Sequence, residues 1–281
     1  MTDIPGSTPS TPADWYPDPV GRHELRYYDG TSWTDHVSSH GRQAVDPVTG
    51  PGHVPTVNAD PSRIQRQVQK QAKVAPVPTE GGGTLFSEPV LVVNQKAKFI
   101  EINSEYAVFD QHGNQIGAVR QVGQSKLKKA ARLLSSYDQF MTHKFQVVDA
   151  GGNVVMALTR PAKFMKSKVI IQDAEGNEVG QVVQQNVIGK IRFSLESGGH
   201  TYGSINGENW RAWNFNIADH AGNEIARITK TWEGLAKTMF TTADNYVVQV
   251  HRPLEEPLRT MAVAAALCVD TALKQDARGF G

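Results

Sequence analysis

Between Arg120 and Lys168 the chain carries ten lysines and arginines against only Asp138 and Asp149, so about +8 falls on one stretch of a protein whose net charge is +1. The densest part is Ser125–Tyr137. On a helical wheel Leu127, Ala130, Ala131, Leu134 and Tyr137 share one side, and Lys128, Lys129 and Arg132 share the other. That is the pattern of an amphipathic basic helix, suited to a membrane surface or to phosphate. Lys126, Lys128, Lys129 and Arg132, joined by Lys163, Lys166 and Lys168, are therefore the candidate ligands for lipid phosphate. Each such residue near an anionic surface contributes about 1 kcal/mol, enough in sum to hold a protein there. The plainer reading, a surface helix with a solvated basic face, stands beside it.

Other chemistry is sparse. The single cysteine, Cys268, sits in an apolar run and reads as a small buried group, with no internal disulfide to form. His36 and His40 have the i, i+4 spacing that zinc uses on a helix, but lack acids or cysteines to complete a site, so no metal is expected. There is no phosphate-cradling Walker loop, no dinucleotide fingerprint and no nucleophile elbow, so neither a cofactor nor an enzymatic role is expected. A net charge near zero gives no reason to expect nucleic acid. Of the five tryptophans, Trp210, Trp213 and Trp232 read as packing, whereas Trp15 and Trp33, with Tyr16, are a candidate docking surface.

The elements that must position these groups fall into three regions. Residues 14–37 are compact and aromatic and predict a small three-stranded β module. Residues 38–83 carry six prolines and end in Gly81-Gly82-Gly83, which predicts a flexible linker that buries little. Within it Ile64, Val68, Ala72 and Ala75 are near helical spacing, so a short helix can follow Pro61. The third region, 85–275, repeats the pattern Asp-x-x-Gly-Asn-x-Ile/Val at Asp110, Asp149, Asp173 and Asp219. Each copy is a turn: Asp bonds back to the backbone and Gly supplies a left-handed conformation. Alternating apolar residues flank every copy. With further turns at Ser197–His200 and Asp244-Asn245, the spacing predicts six hairpins and twelve strands.

Twelve antiparallel strands must hide their edges, and closure into a barrel does so. Such a barrel is too wide for its own side chains to fill. The segment 257–275, apolar all round from Met261 to Val269, predicts the helix that plugs it. Its nine-residue apolar centre is far short of the roughly 20 residues that span a bilayer. The first residues show neither a basic start nor an apolar run, so no secretory signal is expected.

Ile228-Thr-Lys-Thr-Trp-Glu-Gly234, then Ala243-Asp-Asn-Tyr246 and an apolar helix, resembles the end of phospholipid scramblases. Leu85-Phe-Ser-Glu-Pro-Val-Leu-Val-Val-Asn94 resembles the start of their bacterial members. The resemblance covers about two-thirds of the chain and implies the tubby-like fold of twelve strands around a central helix. Animal members carry an acidic calcium-binding segment before the helix. The matching stretch here, Thr242–Pro253, keeps only Asp244, too few carboxylates for calcium, so calcium control is not expected. The cysteine-rich stretch that carries palmitate in animal members has no counterpart either. Trp15-Tyr-Pro-Asp-Pro, Gly21, Arg26-Tyr-Tyr-Asp-Gly30 and Trp33-Thr resemble a short bacterial domain of unknown function.

The expected function is thus binding of anionic phospholipid at the cytoplasmic, inner face of the plasma membrane, with movement of lipids between leaflets as its extension. Two alternatives remain open at this level. One is a soluble adaptor whose N-terminal module and barrel bind protein partners across the linker. The other is a small-ligand carrier or enzyme with a site at a barrel mouth.

Overall fold

A computed structural model describes residues 12–19, 22–46, 54, 60–77, 81–95, 105–122, 142–162, 166–186, 192–207, 214–231 and 245–277, in backbone alone at 95, 105 and 269–277. Four short strands come first: β1 (Asp14–Pro17), β2 (Leu25–Tyr28), β3 (Trp33–Ser39) and β4 (Arg42–Val45). They form one antiparallel sheet in chain order. Twelve further strands follow. They are β5 (Val90–Gln95), β6 (Glu105–Phe109), β7 (Gln115–Val122), β8 (His143–Asp149), β9 (Val154–Arg160) and β10 (Lys168–Gln172), then β11 (Glu178–Gln184), β12 (Arg192–Ser197), β13 (His200–Gly207), β14 (Asn214–Asp219), β15 (Glu224–Thr231) and β16 (Asn245–Val250). Each pairs antiparallel with its neighbours in sequence, and β16 closes on β5, so the twelve make the expected closed barrel.

The repeated turns form as their sequence dictates. In each, Asp Oδ1 accepts the backbone N–H of the Asn four residues on, at 2.9 Å in Asp110, Asp149 and Asp219 and 2.7 Å in Asp173. Gly113, Gly152, Gly176 and Gly222 all take φ between +85° and +94°, which an L side chain rarely adopts. The strand count is as expected but one member differs. Asn245 pairs with Thr231 on one side and Asn94 on the other, so it lies within β16 and not in a turn. The twelfth strand is β5, and the expected strand at 238–242 lies outside the described residues.

Alternation sends one row of each strand inward. Val93, Val108, Val119, Val147, Leu158, Val169, Val182, Leu195, Ile205, Ile217, Ile228 and Val248 are all buried in one cluster. The C-terminal helix α2 (Leu258–Ala277) runs through it, and every side chain from Met261 to Cys268 is buried, as an all-apolar surface requires. Its small residues let it fit, and the wall gives way in turn. A Cβ at Gly180 would stand 2.6 Å from Met261 Sδ, and one at Gly203 would meet Leu258 at 3.4 Å.

Residues 60–77 are not a linker that buries little. A helix α1 (Pro61–Arg66) starts on Asp60, whose carboxylate accepts the N–H of Ser62 at 2.9 Å, and continues as a π-helical turn over Gln67–Gln71. Ile64, Val68 and Val74 bury themselves against the outward-facing Val90, Val92, Ala107, Phe109 and Val247 of β5, β6 and β16. Ala75, expected on the same face, is exposed, because the helix stops at Gln71 and Lys73 turns the chain with φ of +58°. Gln67 Nε2 donates to Asn94 Oδ1 at 3.2 Å, and the Gln111 amide pairs with both backbone groups of Val77. This strap covers an apolar stripe on the outside of the barrel.

The N-terminal sheet also runs past its expected end at residue 37. His40-Gly41, both at positive φ, turn the chain into β4, and Asp46 then folds beneath the sheet. The centre of this module is polar. Arg26, fully buried, donates from Nε to Asp18 Oδ1 at 2.7 Å and from its Nη atoms to Thr34 O and Asp46. Arg22 Nε lies 2.8 Å from Asp46, off the hydrogen-bond direction, and His23 Nε2 lies 3.0 Å from it. Burial, helped by the charge of Arg26, holds the pKa of His23 below its ordinary value against the opposing pull of Asp46 and Asp18.

Candidate functional site

Because the tight turns of β6–β7, β8–β9, β10–β11, β12–β13 and β14–β15 all fall at one end of the barrel, the longer stretches that join consecutive barrel strands leave from the other. The two ends differ in chemistry. At the turn end the mouth is closed by apolar residues: Leu85, Leu254 and, partly buried, Phe86 and Leu258 belong to the barrel's own core. Charge there is acidic and already engaged. Burial alone would raise the pKa of Asp219, but donors from Asn223, Ala221 and Arg252 outweigh it and hold the carboxyl below its ordinary range. The Asn177 side chain does the same for Asp173. Arg252, Arg227 and Arg259 are each paired with an acid, Asp219, Glu224 and Glu256 in turn.

The connection end is basic and polar. Lys144, Lys166, Lys168 and Arg192 stand exposed where β8, β10 and β12 begin. Inside the mouth, the inward rows of adjacent strands turn polar together at their last position. They carry Gln121 on β7, His143 on β8, Arg160 on β9, Ser167 just before β10 and Gln184 on β11, all buried. His143 and Arg160 are cross-strand partners. The Gln121 amide lies 2.7 Å from His143 Nδ1, and Gln184 Oε1 accepts the N–H of Ser167 at 2.8 Å. On the far side Lys230 Nζ lies 5.9 Å from the centre of the Tyr246 ring. A guanidinium inside a barrel is tolerable only when hydrogen-bonded or paired, and this arc supplies polar neighbours.

The helix α2 spans the two ends. Leu258 lies by Gly203 towards the turns, and Cys268 comes under the charge of Arg160 towards the connections. Burial pushes the Cys268 thiol up to about 12, and its Sγ donates to the Ala265 carbonyl at 3.7 Å. Such a thiol is no nucleophile. Treatment of the native protein with a thiol-reactive dye at pH 8 is expected to leave Cys268 unlabelled, with labelling appearing only in denaturant; rapid labelling without denaturant would show that the helix leaves the barrel.

Among the sequence candidates, Lys166 and Lys168 are exposed side by side at the connection end, with buried Ser167 between them. Lys126, Lys128, Lys129, Arg132 and Lys163 lie outside the described residues, as do Asp244, Trp210, Trp213 and Trp232. The stretches that hold the basic candidates leave from Val122 to His143 and from Arg160 to Lys168, on the adjacent strands β7 to β10, at this same end. The proposed docking trio is not one surface. Trp15 packs edge-on against Tyr27 at 5.5 Å, whereas Tyr16 and Trp33 meet across the opposite face at 6.2 Å, with Tyr28. Sequence reading missed Lys144, Arg192 and the buried polar arc. The signal was strand phase: Arg160 continues the inward series Met156, Leu158, and Gln184 continues Gly180, Val182.

No helix among the described residues is long and apolar enough to cross a membrane. The family described as Scramblase matches residues 71–273, and a family described as a protein of unknown function, DUF2510, matches residues 13–46. The altered inheritance rate of mitochondria protein 25 of Saccharomyces cerevisiae is 26% identical, over 59% of this chain and 59% of its own length. A phospholipid scramblase family protein of Schizosaccharomyces pombe is 24% identical, over 59% of this chain and 47% of its own. The chain thus spans about half to three-fifths of the length of these relatives. A solved structure of a putative outer membrane lipoprotein-sorting protein domain from Vibrio parahaemolyticus overlaps 72% of the chain and all of its own, at 6% identity and a TM-score of 0.22, and carries no argument.

Proposed function

Because this chain belongs to the scramblase family, we propose that it handles phospholipid at an anionic membrane surface, docking with the connection end of its barrel and acting without calcium. One observation carries the reading: charge and polarity are segregated along the barrel axis. The turn end is apolar at its mouth and acidic on its rim, and the connection end is polar inside and basic outside. A molecule so polarised is oriented by an anionic surface before it touches it. Lys126, Lys128, Lys129, Arg132 and Lys163 add to Lys166 and Lys168 in this reading, because their stretches leave the barrel at that end. The lipids are those of the cytoplasmic, inner face of the plasma membrane, and the protein is not an enzyme. Independence from calcium is supported by Thr242–Pro253, where Asp244 is the one carboxylate.

The test is co-sedimentation with phosphatidylserine vesicles. Binding is expected to fall as salt rises from 50 to 500 mM, since the Debye length shrinks to a few ångströms at the upper end. The double variant Lys166→Glu, Lys168→Glu is expected to weaken binding about thirtyfold or more, at about 1 kcal/mol for each basic residue lost and a further loss for each acid added. Binding that ignores both salt and the double variant would exclude this end as the docking face. A lipid-flip assay in the same vesicles, with calcium and with chelator, separates transport from attachment; a strict calcium requirement would overturn the calcium-free mechanism.

A further inference from the structure

The outer face of the strap is basic and unbalanced. Residues 61–79 carry Arg63, Arg66, Lys70 and Lys73 and no acid. Ile64 and Val68 turn to the barrel, whereas Arg66, Lys70 and Lys73 are exposed. Among the described residues no carboxylate lies within salt-bridge distance of these three, and their exposed neighbours Ser62, Gln65, Gln69 and Gln71 are neutral. Each cation follows the last by three or four residues, the spacing at which like charges on a helix repel. Burial and the nearby charge of Arg66 both pull the Arg63 guanidinium below its ordinary range, and only Asp60 opposes them. The helix dipole favours a cation in the last turn. Four in succession with no acid cost stability, which an external anion would restore.

Position gives this charge its direction. The strap starts at the turn end, where a Cβ at Gly113 would stand 3.0 Å from Pro61 Cα. It reaches the connection end at Gln67, whose amide meets Asn94, the partner of Asn245 at the start of β16. By Val77, paired with Gln111, it is back at the turn end. Residues 67–74 are thus the apex of a hook. Ala72 N–H donates to Gln67 O at 2.9 Å and Val74 N–H to Val68 O at 3.0 Å, and Lys70 and Lys73 ride on the bend they close. Lys166 and Lys168 stand at the same end, just before β10 and at its start. The strap covers β5, and β10 is five strands away from it in a ring of twelve. The two basic groups therefore lie on nearly opposite flanks of one rim. The turn end offers no such pair, since Arg252, Arg227 and Arg259 there are matched with acids.

We infer that the strap apex, through Arg66, Lys70 and Lys73, is a second contact for an anionic phospholipid surface, so that the barrel stands upright on the membrane between two basic points. The choice of a lipid surface rests on the reading of the chain as a phospholipid-handling protein. A single basic flank would tilt the barrel towards that flank. Two on opposite flanks seat the whole rim, and the mouth lined by Gln121, His143, Arg160, Ser167 and Gln184 then faces the headgroups.

Two measurements on the full chain test it. Lys70→Gln is combined with Lys73→Asn, asparagine being suited to the positive φ at that position. The pair is expected to weaken binding to phosphatidylserine vesicles about thirtyfold and to leave the thermal melt unchanged. If the Lys166, Lys168 variant loses binding and this one does not, the strap contact is overturned and the β10 flank stands as the docking face. If neither loses binding, or no vesicle binding occurs, both readings fall. Retention on single-stranded RNA with none on vesicles overturns the lipid as partner. Orientation is read from a fluorophore placed at Gln69→Cys or Glu175→Cys in a Cys268→Ala background, Gln69 lying at the apex and Glu175 in the β10–β11 turn, both exposed. Vesicles that carry a nitroxide on a fraction of their headgroups are expected to quench the label at 69 and spare the one at 175. Equal quenching, or quenching at 175 alone, overturns the upright seat even where the charge variants behave as expected.

Discussion

Replacing Ala265 by tryptophan is expected to abolish the folded barrel. The side chain is fully buried at the centre of α2, between Ala264 and Ala266, with the barrel wall around it. Overpacking a dense core by a methylene or two typically costs about 1–3 kcal/mol. An indole is several times larger, and native domains hold only about 5–15 kcal/mol in total. The neighbouring contacts show how little slack exists, since even one carbon added at Gly180 would stand 2.6 Å from Met261 Sδ and equally close to the Glu196 carbonyl. Ala265→Gly is the calibrating variant: it removes volume, costs about 1 kcal/mol of helix propensity, and should leave a cooperative transition at lower temperature. Thermal melts by circular dichroism distinguish the two. A soluble Ala265→Trp protein that melts with the wild type would mean the helix does not occupy the barrel in solution.

What made this core legible is that each of its parts obeys a local rule. Asp110, Asp149, Asp173 and Asp219 mark turns because a carboxylate and a glycine at positive φ close the chain in one way. The run Met261–Cys268 marks a buried helix because no face of it is polar. The connection end was half legible. Lys166 and Lys168 declare themselves by composition, but Arg160, His143 and Gln184 acquire meaning only once strand phase turns them inward, and phase is certain only after the register is known. Trp15 and Tyr16 show the converse: adjacent in sequence, they are parted by the pleat to opposite faces of the sheet.

The strap was hidden by its composition. Prolines and glycines around it read as a linker, while the apolar groups it buries are few and spaced for a helix that ends early. Its partner surface carried the clearer signal. Val90-Leu91-Val92-Val93 is apolar at every position, and a strand that is apolar on both faces must be covered on both. Leu91 and Val93 face the plug helix; Val90 and Val92 need a second cover, and Ile64, Val68 and Val74 supply it.

Introducing charge beneath that cover is therefore expected to release it. Ile64 is fully buried and Val68 nearly so, and truncating one such side chain to alanine already costs about 2–5 kcal/mol for isoleucine. Ile64→Asp with Val68→Asp adds to that loss the burial of two carboxylates, which is avoided only if residues 60–77 leave the wall. Val90, Val92, Ala107, Phe109 and Val247 then face water as one apolar stripe, and the hydrogen bonds from Gln67 to Asn94 and between Gln111 and Val77 go with them. Limited proteolysis should cut the double variant within 60–77 at protease levels that spare the wild type. Binding of a hydrophobic dye should rise, and the urea midpoint should fall. The barrel's own pairing, from β5 round to β16, does not pass through the strap, so far-ultraviolet circular dichroism should retain its β signal at low concentration. A variant as protease-resistant and as stable as the wild type would place the segment off the wall from the start, and would leave the outer face of β5 and β6 to be covered by something else.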